Sequence, residues 1–327
     1  MARYITKRII LMIPVLLGVS LIIFALQFIT PGDPARLVLG DEATEEQIES
    51  FHEEYGLNDP FLVQYVKYMW GIIRHGDFGN SYRTGRNITD EVIQRWPTTF
   101  ALATITTMIS AIIGLSLGIL SAKYRDTWVD TAARVLGMLG ISLPSFWFAL
   151  LLIMRFSVKL KWLPVSGLYS PAHWVLPCLS LGILGAAALM RVTRSSMLDN
   201  MRQDFVRTAR AKGQTESVIT RHHILRNAMI PIITSIGARF AHCMGGAMVL
   251  EQVFAISGLG KLMVDSVNAR DYPQLRASVL LVAVSVSVVN LLVDIAYASI
   301  DPRVKARFVR SSAKKGARAL KAKRSGE

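Results

Sequence analysis

Cysteine is nearly absent from this 327-residue chain: Cys178 and Cys243 are the only two, and both fall in apolar runs. Two thiols cannot build a disulfide framework or a four-ligand zinc site, and small buried side chains are their ordinary use. Charge is scarce as well. Acidic and basic residues make up 18% of the chain, against about 25% in soluble domains. A phosphate-binding loop is missing: "AISGLGKL", Ala255 to Leu262, departs from G-x4-G-K-[ST] at Ala255 and again at Leu262. No nucleophile, base and orienting group form a set, so the chain reads as a non-enzyme without a cofactor of its own. His242, Cys243 and Met244 are consecutive, but neighbouring helical positions point about 100° apart and cannot all face one ion. His52 and His75 have no third ligand at metal spacing and read as solvated side chains.

What the chain has instead is apolar length. Hydrophobic residues are 52% of it and mean hydropathy is +0.38. About 20 apolar residues cross a bilayer core as a helix, and six runs qualify: Ile9 to Ile29, Thr98 to Ala122, Val135 to Met154, Ala172 to Met190, Asn227 to Leu250 and Ala277 to Ile300. The first follows Arg3, Lys7 and Arg8 like a signal peptide, yet it exceeds the usual h-region and leads into "QFITPGDP" with no small-residue cleavage site. It reads as an anchored span. The expected fold is all-α, a polytopic membrane protein of six transmembrane helices.

A formal net charge of +14 suits nucleic acid, anionic lipid or membrane topology, and placement decides between them. With the N-terminus inside, the inner segments carry Lys123, Arg125 and Arg134, then Arg191 to Arg226, then the tail from Arg303 to Arg324; every one is basic. The outer segment from Pro31 to Pro97 holds twelve acidic residues and six basic ones. That is the asymmetry of topology, with both termini cytoplasmic. The tail "VKARFVRSSAKKGARALKAKR" suits anionic lipid.

Within the outer segment, Thr44 is placed to cap a helix beginning at Glu45, and Phe61, Tyr65, Tyr68 and Met69 recur at helical spacing, an apolar face for the membrane part to cover. Pro144 in "SLPSFW" predicts a kink in the third span. Gly114 with Gly118, Gly182 with Ala186, and Gly245 with Gly246 are small-residue pairs that let helices approach closely in lipid.

One stretch does not suit a simple connection. "DFVRTARAKGQTESVITRHHILRNAMIP", Asp204 to Pro231, reads as two amphipathic helices, Asp204 to Lys212 and Glu216 to Ala228, meeting at Gly213 and Gln214. On the second, Val218, Ile219, His222, Leu225 and Met229 gather on one face at ordinary α-helical spacing. An apolar-faced, basic hairpin at the inner surface invites a docked partner or a lipid surface.

At these residues the chain resembles the inner-membrane permeases of type I ABC importers, in particular the dipeptide, oligopeptide and nickel branch. Of the general signature E-A-A-x3-G-x9-I-x-L-P, set over Arg207, Thr208 and Ala209 and on to Gly213, only Ala209, Gly213 and Leu225 match. The branch form "DFVRTARAKG" followed by "HxLRNAxxP" fits almost letter for letter. So do "PGDPA", "GLNDPFLVQY", "DFGNSYRTGR", "SLPSFWFALLL", "SGLGKLMVDSVNARDYP" and "NLLVDIAYASIDPR", in order along nearly the whole chain.

The resemblance implies a permease subunit paired with a homologous second permease, two ATP-binding subunits and an extracytoplasmic binding protein, carrying peptides, nickel or a related small solute, with membrane lipid around it and no nucleic acid. It implies that the hairpin couples to the ATPase, with Arg207, Thr208, Ala209, Arg210, Lys212, Gly213, Val218, Arg221 and Leu225 at the joint. Pro144, Arg239, His242, Gly258, Gly260 and Asp271 are candidates for the route or its gate. Ionisable groups inside spans are expensive and usually interior; Arg239 and His242, three apart, are expected to share a face, while Asn290 and Asp294 read as structural, and a charge at Arg239 departs from the family pattern. The expected organisation is 1–30 for the N-terminus and first span, 31–97 for an extracytoplasmic helical segment, 98–300 for the core with its hairpin in 191–228, and 301–327 for a basic tail. An ion-coupled transporter using Asp294 and His242, and a membrane-anchored nucleic-acid binder using the tail, are the rival readings.

Overall fold

Each long apolar run is helical, and each except the third forms one continuous helix, because in lipid a backbone must satisfy its own N–H and C=O groups. A computed structural model describes residues 2–40 and 42–300, so the basic tail lies outside the described residues. The first span is α1 (Ala2–Ile29). Three shorter helices follow, α2 (Pro34–Leu39), α3 (Glu45–Tyr55) and α4 (Phe61–His75). The core comprises α5 (Ile88–Lys123), α6 (Trp128–Ser142), α7 (Ser145–Leu152) and α8 (Pro171–Met201). Then come α9 (Asp204–Ala211), the single turn α10 (Glu216–Val218), α11 (Leu225–Val253), α12 (Leu259–Ala269) and α13 (Tyr272–Ile300). Among the described residues five continuous helices are long and apolar enough to cross a membrane, and α6 with α7 makes a sixth only as a bent pair.

That bent pair corrects the expected kink. The chain turns by 103° between Ser142 and Ser145. Leu143 and Pro144 both have extended ψ values, 129° and 132°. Proline has no N–H to give and pushes the residue before it out of the α region, so helix formation stops outright. Beyond α7 the backbone widens into a π-helical segment, Ile153–Lys159. Two spans also overrun their sequence bounds: α5 starts at Ile88 and carries Pro97 inside it, and α8 continues past Met190 to Met201.

The centre of the bundle is α5 against α8. A Cβ on Gly114 would stand 2.7 Å from Leu189 Cβ, and one on Gly118 would stand 2.5 Å from Thr193 Cβ. Those contacts demand glycine, as the small-residue pattern predicted. Gly118→Val should therefore lower the melting temperature of the purified protein, an overpacking cost of about 1–3 kcal/mol. Gly245 behaves otherwise: a Cβ there meets nothing within 4 Å, so that glycine does not serve packing inside this chain, whereas one on Gly246 would only touch Leu181 at 3.9 Å.

The segment before α5 is tied to the bundle by aromatic stacking. Phe61 and Tyr65 of α4 stand edge-on to Phe24 of α1 at 5.5 and 5.4 Å between ring centroids. The Arg276 guanidinium at the start of α13 lies 4.6 Å from the Phe24 ring and 4.9 Å from Tyr68, a buried cation held on two π faces. Burial there pushes the Tyr68 phenol up to about 12. Thr44 forms the expected capping box with Gln47. His52, expected to be solvated, is instead 2.8 Å from Asp33, whose carboxylate caps α2; the turn at Gly40 folds α3 back within its reach.

Candidate functional site

The hairpin is an inside-out object: one side belongs to the core and the other faces outwards. Val206 and Ala209 of α9 are buried with Ala122, Met197, Ile219, Ile224 and Ala228. Arg207, Thr208 and Arg210 are exposed on the same helix and Lys212 just past its end, Phe205 is 37% exposed, and Val218 in α10 on the returning arm of the hairpin is 41% exposed. Gly213 takes φ +75°, a left-handed conformation that glycine enters without a Cβ penalty. Arg210 Nε donates to Glu216 Oε1 at 2.6 Å across that turn, and His223 Nε2 meets Gln214 Oε1 at 2.8 Å. The hairpin is thus a preformed shape.

Its second helix differs from the sequence expectation in two ways. It does not stop near Ala228 but runs through α10 and a π segment, Ile219–Ile224, directly into α11. The wider π turn breaks the 3.6-residue register on which the apolar face was drawn. Ile219 and Ile224 therefore become the buried pair, while His222 and Arg221 are exposed and Leu225 and Met229 pack only partly against the cluster. The hairpin's second arm and a membrane span are thus one uninterrupted helical rod.

Along α11 the exposed positions Asn227, Pro231, Thr234, Ala238, His242, Gly245, Val249 and Gln252 form one stripe at steps of three and four, with Arg226 exposed beside its start. The stripe is small and polar. By contrast the exposed face of α1 is Ile9, Ile10, Ile13, Val15, Leu17 and Leu21, a surface lipid would accept. Arg239 and His242 do not share a direction as expected: His242 is on the stripe, whereas Arg239 turns sideways onto α8 and donates from Nη2 to the Leu181 carbonyl at 2.8 Å. On α13, Asp294 reaches Arg8 of α1 at 3.0 Å, while Asn290 is exposed a turn earlier. Asp294 therefore ties two spans together.

At the far end of α11, Glu251 is fully buried and organises the entry to α12. Thr99 Oγ1 of α5 donates to Glu251 Oε1 at 2.6 Å, and the Lys261 N–H donates to Oε2 at 2.8 Å. The Leu259 N–H in turn donates to Thr99 Oγ1 at 2.7 Å. Gly258 and Gly260 serve this clasp: a Cβ on Gly258 would lie 2.3 Å from the Glu251 carboxylate, and one on Gly260 2.5 Å from Met248 Cα. Asp271, where α12 meets α13, is 2% exposed and accepts from the Ser81 hydroxyl and from the Tyr82 N–H at 3.4 Å. It fastens the segment before α5 to the core.

Two family comparisons agree with this architecture. The binding-protein-dependent transport system inner membrane component family matches residues 114–306, and its N-terminal counterpart matches residues 1–103. The glutathione transport system permease protein GsiC of Salmonella paratyphi A is 42% identical over 306 residues, covering 93% of this chain and 99% of that one; the protein of the same name from Escherichia coli K12 gives the same figures. The chain belongs to this family of ABC importer permeases. Among solved structures, an inward-facing MetNI methionine ABC transporter matches with a TM-score of 0.53 at 17% identity, over 64% of this chain and 96% of that one. An amino acid ABC transporter matches with a TM-score of 0.52 over 64% and 94%. At these identities they speak for the fold alone.

As an ABC importer permease the chain is a multi-pass inner-membrane subunit of a binding-protein-dependent importer. It is not itself catalytic, and it works with a second permease, ATP-binding subunits and a substrate-binding protein. Membership favours neither the ion-coupled transporter nor the nucleic-acid binder. The sequence reading of this permease overlooked Glu251 and the ion pair of the buried Asp130 with the part-exposed Arg194. Glu251 carried a usable signal, as the one acid in the apolar run "GGAMVLEQVF". Asp130 carried none, because it lies among polar residues at a helix start.

Proposed function

We propose that this permease forms one half of a route for short peptides, with a homologous but non-identical permease as the other half. Both termini lie in the cytoplasm, since the basic residues concentrate on the hairpin side of the spans. The α9 hairpin seats in a groove of an ATP-binding subunit, and its closure is carried along α11 to the exposed stripe beside the route. α12, held by Glu251, forms the outer gate beneath a docked binding protein. A peptide cargo is supported by the relatives named for glutathione transport, a tripeptide, at 42% identity. Dipeptides fall within that class, and nickel chelates, which belong to the same branch, are the alternative cargo.

The observation that carries this reading is the division of α9 into a face sunk in the core and an outward face of Phe205, Arg207 and Arg210, with Val218 beside it. Phe205→Asp combined with Val218→Asp tests it. Exposed substitutions of this kind change a subunit's own stability by only about 0.5 kcal/mol. Co-purification of the ATP-binding subunits should fall at least tenfold, while the two permeases remain together. Full recovery of the ATP-binding subunits with the double variant would mean that the hairpin is not their seat.

A further inference from the structure

Arg239 is a cation in the middle of a membrane-spanning helix, and its surroundings do not neutralise it. Among the described residues no ion pair includes it; the acids of neighbouring helices are engaged elsewhere, Asp294 with Arg8 and Glu251 with Thr99 and the α12 backbone. The guanidinium is nonetheless deliberately housed. A Cβ on Gly185 of α8 would stand 2.2 Å from Arg239 Nε and 2.5 Å from Cζ, so the slot exists only because that position is glycine. Nη2 is fixed by the Leu181 carbonyl at 2.8 Å, and Nε is buried without a partner. A carbonyl orients the group but leaves its charge intact. One turn further along α11, His242 opens onto the exposed stripe.

A fixed, unneutralised charge inside a membrane protein is costly and is usually kept for what it attracts. We infer that Arg239 makes the midpoint of the route anion-attracting, and that the cargo of this permease bears a carboxylate that passes the charge. This rests on the proposal that the α11 stripe lines the route. Arg239 acts there as a specificity-determining residue, with Gly185 as the residue that gives it room.

The test places a reporter thiol on the stripe. In the full importer complex with Cys178→Ser and Cys243→Ser, His242→Cys is labelled with a sulfonate-bearing and an ammonium-bearing methanethiosulfonate of similar size. A cleft lined by one sign of charge raises the local concentration of its counter-ion roughly tenfold or more. The sulfonate reagent should therefore react about tenfold faster relative to the ammonium reagent than either does with a free thiol in solution. Arg239→Gln should abolish that preference and Arg239→Lys should retain most of it. Labelling with a rate ratio indifferent to Arg239→Gln would overturn the inference and leave the route in place, the charge then being neutralised by an acid of the second permease. A thiol at position 242 that neither reagent reaches, with or without nucleotide, would remove the route reading and the inference with it.

Discussion

Glu251→Leu should loosen α12 from the rest of the permease and abolish transport. The carboxylate is the meeting point of three helices: its oxygens accept from Thr99 of α5 and from the first turn of α12, and it is itself part of α11. The Thr99 hydroxyl accepts from the Leu259 N–H with one of its two lone pairs and has a single proton, which it gives to Glu251. Removing the carboxylate thus orphans at least two buried donors, the Thr99 hydroxyl and the Lys261 N–H. At about 1–3 kcal/mol for each unsatisfied group, the loss is about 2–6 kcal/mol. Glu251→Gln should cost roughly half as much, since one carbonyl oxygen survives and only one contact becomes donor against donor. The readouts are the melting temperature of the purified complex and hydrogen exchange at the Leu259 and Lys261 amides, which should become unprotected first. Unchanged protection of those two amides in Glu251→Leu would refute the clasp.

The membrane architecture was legible because a bilayer allows so few backbone solutions: an uncharged run such as Ile9 to Ile29 has no alternative to a helix. The hairpin's place and its glycine were legible for the same reason, Gly213 being punctuation between two periodic segments. Two kinds of feature were not. Register fails where the helix itself changes type, as at Ile219–Ile224, since a pattern scored at 3.6 residues per turn cannot see a π turn. Long-range polar pairs are invisible too: nothing local announces that Asp130 will meet a residue 64 positions later, or that Ser81 will meet Asp271 across 190. Arg239 stood out in the sequence as a charge in a span, but its direction was set by Gly185 on another helix. A break of 103° at Pro144 exceeded the expected kink because Leu143 is extended as well.

Asp130 gives the second large expectation, at the hairpin end of the same bundle. It is fully buried, accepts from Arg194 Nε and Nη2 at 2.7 Å each, and also from the Ser121 hydroxyl at 2.6 Å and the Asp126 N–H at 3.1 Å. The pair joins the end of α5, the start of α6 and α8, directly beside Ala122 and Met197 of the hairpin's buried cluster. Arg194→Met should leave the buried carboxylate with Ser121, the Asp126 N–H and the Arg134 guanidinium 3.6 Å away but without its bidentate partner, a destabilisation of at most about 3–5 kcal/mol. Adding Asp130→Leu should restore most of the melting temperature, because a well-packed apolar pair can replace a buried ion pair without loss. Coupling should not return with it. The bidentate geometry fixes α6, and hence the broken span beyond it, to the element on which the hairpin rests; leucine and methionine hold no such direction. The double variant is thus expected to hydrolyse ATP through its partner subunits while moving less than a tenth of the cargo per ATP. If it recovers transport along with stability, the pair is packing and no more, and the hairpin reaches the broken span by another contact.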